Sequence, residues 1–252
     1  MRLDGSLVVV TGASSGIGQA VAVRLGAAGC RLVLVGRNGD RLADVAHRTD
    51  GEAVVADLAN PDDLRALADR LARMSPAPDI LVNNAGVGHV GTADSLSDAE
   101  LDTLVAVNLR APLALTRAVL PAMLARRSGH LVFVTSIAGL LGVARESGYA
   151  AVKAALQVYA DSLRTEVVSS GVGVTTVVPG VVDTAFFDRR GAAYARRFPR
   201  LISADTVAAA LVRGIERNRA EVIVPRWLRV PVAIRALAPS LYARLSTGRT
   251  SS

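Results

Sequence analysis

Leu7-Val8-Val9-Val10-Thr11-Gly12-Ala13-Ser14-Ser15-Gly16-Ile17-Gly18 passes from a short β-branched run through a glycine-rich turn into a helix. The apolar run shows no alternation of inward and outward residues, which marks a strand covered on both faces. In the turn, Gly12 permits a tight bend, Gly16 lets the backbone approach a diphosphate, and Gly18 lets helix and strand pack closely. The helix N-terminus then offers free N–H groups to phosphate oxygens. The spacing is Gly-x3-Gly-x-Gly, not the commoner Gly-x-Gly-x2-Gly. Taken alone, the motif also fits an ordinary glycine-rich turn between strand and helix.

The same alternation continues outward from this stretch. Helix 16–29 leads to a second buried strand at 31–36, then helix 39–49, strand 52–56, helix 61–74 and strand 79–83. Helices over 97–107 and 109–127, strand 129–135, helix 148–169, strand 173–178, helix 204–219 and strand 221–225 follow. Alternating strands and helices with continuous apolar strands predict an α/β doubly wound sheet of the Rossmann type, seven parallel strands flanked by helices. No Pro-, Gly- or Ser-rich linker divides the chain, so residues 1–225 are expected to form one domain, with 226–252 as a basic, apolar extension. Residues 181–203 are expected to be irregular, and a connection of that length inside a compact domain is usually functional.

Twenty-eight of the 29 basic residues counted as Lys or Arg are arginine; the lone lysine is Lys153. It lies four residues after Tyr149, so on a helix the two share a face. An ammonium beside a phenol favours the phenolate, which makes the pair a candidate acid/base with a lowered tyrosine pKa. After the second strand, where a dinucleotide site commonly carries an acid for the ribose 2′-OH, the chain has Gly36-Arg37-Asn38. Arg37 would attract a 2′-phosphate, with Ser14 or Ser15 adding a hydrogen bond, so NADP(H) is expected over NAD(H). A solvated turn arginine is the competing reading.

The motifs, in order, resemble those of the short-chain dehydrogenase/reductase family: Thr11–Gly18, Asp57, Asn83-Asn84-Ala85-Gly86, Asn108, Ser136, Tyr149/Lys153, and Pro179-Gly180-Val181-Val182-Asp183-Thr184. The resemblance covers about residues 5–225 and implies the sheet inferred above. It implies Tyr149 as the acid in reduction and the base in oxidation, and Lys153 as the group that holds the nicotinamide ribose and depresses the Tyr149 pKa. Ser136 would donate to the substrate oxygen, and Asn108 would hold a water linking Lys153 to solvent. Gly12, Ser14, Ser15, Gly16, Ile17 and Gly18 would form the phosphate loop. Asp57 would meet the adenine ring, and Asn84, Ala85 and Gly86 would line the cofactor. Pro179 and Gly180, with Tyr149 and Lys153, would also touch the cofactor, and Thr184 would reach the carboxamide region.

Leu140, Leu141, Val143, Phe186 and Phe187 point to an apolar carbonyl or secondary-alcohol substrate; Arg145, Arg189, Arg190 or Arg196 could instead meet an anionic group. His47, His89 and His130 match no catalytic position, and Cys30 reads as a small core residue. No metal-ligand spacing is present. The charge of +7 is spread over helices without a basic, aromatic-interleaved motif, so no nucleic-acid partner is expected. No signal-peptide pattern opens the chain and no apolar run reaches about 18 residues. A cytoplasmic protein is therefore expected, possible membrane contact being confined to 226–252. That tail mixes Arg with Trp and Leu as interfacial segments do. Packing on its own domain or on a subunit partner is the weightier reading, since nothing here separates lipid from protein contact, and Pro231 and Pro239 argue against one long helix. Helices 97–127 and 148–169 resemble the family's subunit-pairing faces, so a homodimer or homotetramer is expected. The rival class is a non-catalytic NADP(H)-binding sensor or scaffold on the same fold.

Overall fold

The computed structural model describes residues 1–190, 194 and 199–247. In chain order the elements are β1 (Leu7–Thr11), α1 (Gly16–Ala27), β2 (Arg31–Gly36), α2 (Gly39–Thr49), β3 (Glu52–Val55), α3 (Pro61–Arg73) and β4 (Ile80–Asn83). Then come α4 (Asp98–Val105), α5 (Ala111–Ala125), β5 (Gly129–Val134), α6 (Ile137–Leu141), α7 (Ser147–Glu166), β6 (Val172–Pro179), β7 (Val182–Asp183) and α8 (Phe186–Arg189). The last are β8 (Ile202–Ser203), α9 (Ala204–Glu216), β9 (Glu221–Val224), α10 (Arg229–Leu237) and α11 (Pro239–Thr247).

Seven strands form one parallel sheet, as the sequence predicts, and their order is β3-β2-β1-β4-β5-β6-β9. Side chains alternate across it. Val8 and Val10 of β1 belong to a core with Val21 and Leu25 of α1, Leu42 of α2 and Leu211 of α9. Leu7 and Val9 belong to a second core with Leu67 of α3, Leu115 of α5 and Leu156 of α7. Both faces are covered by helices, so the central strands are largely apolar, with Thr11, Asn83, His130, Thr175 and Thr176 as buried polar exceptions. Strand order reverses between β1 and β4, and such a switch point leaves a crevice at the C-terminal strand ends.

Three expectations change. The helices read as 97–107 and 109–127 form one rod, Asp98–Ala125, joined by a π turn at Ala106–Arg110. At 28 residues and a mean hydropathy of 1.3, this helix is long and apolar enough, by length and composition alone, to cross a bilayer, contrary to the expectation that no such run exists. Yet Leu104, Val107, Leu115, Val119 and Met123 are buried, which is the behaviour of a core helix. The connection 181–203 is also not wholly irregular. It carries β7, α8 and β8, the two strands pairing in parallel through Val182–Ile202 and Asp183–Ser203. The tail is two short helices after a 3-10 turn at Arg226–Leu228, with the break at Ala238 ahead of Pro239.

His130 lies within β5, 2% exposed. Thr175 Oγ1 donates to Arg219 O at 2.6 Å and so is left to accept from His130 Nε2 at 2.8 Å. Burial holds the imidazole pKa down at about 4. Its folded-state pKa is therefore depressed, so protonation favours unfolding. The stability it protects is complete above the unfolded pKa near 6.5 and is lost as pH falls towards 4. The full loss is on the order of 3 kcal/mol. Urea midpoints measured from pH 7 to 4 should fall steeply for the wild type and less steeply for His130→Gln.

Candidate active site

The crevice at the switch point is one end of a cavity of about 2020 Å³. Its floor is set by Thr11. The Thr11 hydroxyl donates to Val82 O at 3.3 Å and accepts from the backbone N–H of Asn84 and of Ala85, both at 3.0 Å. Asn84 Nδ2 returns to Thr11 O at 2.9 Å. Thr11 thus ties the end of β1 to the loop after β4, a role the sequence reading did not assign to it. Gly12 has φ +67, and a Cβ there would lie 2.9 Å from Ala85 Cα. Gly16, φ +58, faces Thr184, whose Cγ2 would be 3.1 Å from an added Cβ. Gly18 does not line the cavity. It is buried beneath the loop, where a Cβ would meet the Gly12 carbonyl oxygen.

Ser14, Ser15, Gly16 and Ile17 line the cavity. Ser15 is the N-cap of α1, yet its side chain makes no capping hydrogen bond. The first N–H groups of α1 are therefore not taken by that hydroxyl, and a helix start of this kind suits an anion. Arg37 and Asp57 face each other at 3.8 Å, both half-exposed. Two further arginines share the cavity: Arg41 in the first turn of α2 and Arg189 of α8. The Arg189 guanidinium is held below its usual range by burial first, then by Arg37 and Arg41, with Asp188 opposing. Three arginines gathered at one end of the cavity suit an anion. Sequence reasoning missed Arg41, although a cation in a first helical turn runs against the helix dipole and was a readable signal.

Ser136, Tyr149 and Lys153 meet further along. Ser136 follows β5 as the N-cap of α6, its Oγ accepting from Ala138 N at 3.1 Å. Tyr149 and Lys153 lie one turn apart on α7, with Nζ 5.9 Å from the phenol ring centre. Lys153 Nζ donates to Val134 O at 3.0 Å, at the end of β5. Asn108 sits in the π turn, where Nδ2 donates to Val87 O and Leu104 O, each at 3.0 Å. Its Oδ1 is buried without a protein partner. A Cβ on Gly86 would come within 3.0 Å of Asn108 Oδ1 and 3.4 Å of Lys153 Nζ, so the glycine keeps the space between them. Pro179, Gly180 and Thr184 line the same cavity.

The electrostatics correct one expectation. Within the protein alone Tyr149 is pushed up to about 12, not lowered. Burial is the largest cause; Ser136 pulls it down by hydrogen bonding, Glu146 raises it and Arg190 lowers it. Lys153 is itself brought down to about 8 by burial. Desolvation penalises both charged forms, and the ammonium points at a backbone carbonyl, so its pull on the phenol is weak.

The other end of the cavity is apolar. Leu141, Val143, Val90 and Phe187 line it, and the Phe186 ring lies 5.7 Å from the Tyr149 ring. Arg190 Nη1 donates to Glu146 Oε1 at 2.7 Å, largely buried, which ties α8 to the residue before α7. The sequence reading missed the far wall: Trp227, Pro231, Ile234, Tyr242 and Leu245 of the tail. His89 does not line the cavity; its Nδ1 lies 3.4 Å from Glu100 Oε1. Cys30 is buried, its Sγ donating to Leu3 O at 3.2 Å. Arg196, a candidate for an anionic group, lies outside the described residues. Among the described residues no cluster could hold a metal ion.

Comparison with known proteins agrees with this geometry. A short chain dehydrogenase family profile matches residues 6–195. The chain is 33% identical over 265 residues to dehydrogenase/reductase SDR family member 7B of Mus musculus, covering 98% of this chain and 82% of that one. A short-chain dehydrogenase of Sphingobium yanoikuyae in complex with NADPH superposes with a TM-score of 0.85 at 31% identity, over 98% of each chain. A short-chain dehydrogenase/reductase of Burkholderia phymatum in complex with NAD gives 0.85 at 25% identity, over 96% of each. A bulky-bulky ketone specific alcohol dehydrogenase of Comamonas testosteroni gives 0.79 at 27% identity, over 92% of this chain and 93% of that one.

Because Gly18 packs against the Gly12 carbonyl, Gly18→Ala should push α1 off the loop. Strain of this kind costs about 1–3 kcal/mol. The variant should melt several degrees lower and bind NADPH about tenfold more weakly or worse in a fluorescence titration; unchanged binding would show that the loop tolerates the shift.

Proposed function

The chain belongs to the short-chain dehydrogenase family and is an oxidoreductase; from that premise we propose that it transfers a hydride between NADP(H) and an apolar ketone or secondary alcohol. The observation that carries the cofactor half is the convergence of Arg37, Arg41 and Arg189 on one cavity. A 2′-phosphate neutralises that convergence, and a bare ribose hydroxyl does not. The chain's similarity to proteins holding NADPH and to one holding NAD leaves the choice to these residues.

The residues fit a nicotinamide dinucleotide. Gly12 and Gly16 carry no Cβ where Ala85 and Thr184 come close, and the start of α1 would offer its N–H groups to the diphosphate. Ile17, Asn84, Ala85, Gly86, Pro179, Gly180 and Thr184 line the same cavity and would hold the cofactor, with Asp57 meeting the adenine. When bound, the nicotinamide supplies or takes the hydride. Tyr149 gives its phenolic proton to the nascent alkoxide in reduction and takes it back in oxidation. Ser136 donates to the same oxygen, where negative charge develops. Lys153, fixed by Val134, holds the ribose. Asn108 Oδ1, buried and facing Lys153 across Gly86, accepts from a water that connects the lysine to solvent. The apolar half of the cavity selects a large hydrophobic carbonyl, and a bulky-ketone enzyme among the similar structures supports that choice. Exposed Leu101, Val105 and Val158 on α4 and α7 support a subunit contact there.

The expected assay is nicotinamide absorbance with a panel of apolar ketones and alcohols. Tyr149→Phe should lose about 10²–10⁴-fold in kcat. Arg37→Gln should raise the KM for NADPH about tenfold or more and leave that for NADH nearly unchanged; equal loss with both cofactors would remove the phosphate reading. Tight NADPH binding with no turnover on any substrate would favour a sensor.

A pH profile tests the tyrosine. Burial keeps Tyr149 protonated up to about 12, so reduction finds its acid ready and oxidation should rise with pH. Glu146→Gln removes a group that raises the phenol pKa, so the oxidative limb should move to lower pH. Arg190→Gln removes one that lowers it, and the limb should move up. Shifts in the same direction would mean that α8 has simply detached.

A further inference from the structure

The tail does two things at once. Its inner side walls the apolar half of the cavity through Trp227, Ile234, Tyr242 and Leu245. It is held there by Arg235 Nη1 donating to Leu140 O at 2.6 Å and Tyr242 Oη donating to Leu141 O at 3.2 Å, which satisfies carbonyls at the end of α6. Its outer side is not packed on the domain. Val230 is 60% exposed, Leu237 86%, Leu241 51% and Leu245 57%, and α10 has no buried residue. Residue Leu245 belongs to both sides, so the apolar outer surface meets the cavity lining at that residue.

Charge identifies the occupant of this face. From Val222 to Ser252 the sequence has no Asp or Glu and five arginines, at 226, 229, 235, 244 and 249. A second copy of the chain on a two-fold axis would set this surface against itself, arginine against arginine with no carboxylate of the patch to intervene. An anionic bilayer offers what both chemistries require, phosphate groups for the arginines and an acyl layer for Leu237, Leu241 and Val230.

We propose that α10 and α11 dock on an anionic bilayer and that an apolar substrate enters the cavity from the lipid phase past Leu245. The docking half stands on the tail alone; the delivery half rests on the apolar-carbonyl reading above. Full-length protein is floated with phosphatidylcholine vesicles and with phosphatidylcholine–phosphatidylglycerol vesicles, beside the double variant Leu237→Glu/Leu241→Glu, whose positions lie outside the cavity lining. Wild type should float with the anionic vesicles only, and less so in high salt. The double variant should partition about tenfold less or lower, keep its turnover on a small water-soluble ketone, and show a KM about tenfold higher or more for a ketone dissolved in the vesicles. Failure of the wild type to float with anionic vesicles overturns the proposal. So does a wild-type oligomer that the double variant dissociates on size exclusion, since the patch is then a subunit contact. Equal KM values for the vesicle-borne ketone overturn delivery. Flotation without turnover of any ketone supports docking and overturns the catalytic reading instead.

Discussion

The hydroxyl of Thr11 is the point on which the site hangs. Where β1 and β4 part, backbone groups lose their ladder partners, and a buried amide without one is expensive. One hydroxyl answers this by donating once and accepting twice, from Asn84 N and Ala85 N. The β4 loop is thereby fixed beside the glycine turn, with Gly12 against Ala85 and Gly18 against Gly12. Gly86 then stands at a set distance from Asn108 and Lys153, and Lys153 from the end of β5. Each catalytic position is referred back through short contacts to the edge where the sheet changes direction.

That edge divides the cavity into electrically unlike halves. One end gathers Arg37, Arg41 and Arg189, the last held below its usual pKa by burial first and then by the other two. The other is walled by aliphatic and aromatic side chains, and Tyr149 and Lys153, both buried, line the same cavity. In water the lysine would hold its proton and the tyrosine would titrate near 10; burial pulls the first to about 8 and is the largest cause that pushes the second to about 12. Dry protein narrows the gap in charge between them by disfavouring ions of either sign. Any anion drawn to the arginine end adds negative potential, which favours the lysinium and the neutral phenol, the forms a proton donor requires.

Much of this was legible in the sequence because the backbone dictates it. A parallel sheet buried on both faces has to be written in Val, Ile and Leu, and a turn with positive φ beside a close helix has to be written in glycine. Ser136, Tyr149 and Lys153 were readable through their order and spacing, and the structure brings them together on β5–α6 and α7. What was not readable depended on distance. The pKa direction of Tyr149 turns first on its burial, and a sequence shows neither that nor that Val134 O takes the Lys153 ammonium. Arg189 joins Arg37 only because α8 folds back over the cavity. The break at Asn108 vanished because a π turn keeps the helix continuous while letting Asn108 face Gly86.

The division of labour along the chain follows from the same geometry. The family profile ends at residue 195, so the phosphate loop, Ser136, Tyr149 and Lys153 all fall within the segment it matches. The cavity wall opposite Phe186 comes from beyond it, from Trp227 to Leu245. Chemistry needs a donor and a hydride in fixed relation, which a rigid sheet edge provides. Selectivity needs a surface that can vary without moving that edge, and a helical pair fastened by two hydrogen bonds to the end of α6 meets that condition. Because those bonds accept at backbone carbonyls, the attachment is indifferent to the side chains of α6, and the lining of either partner can change while the seam between them stays.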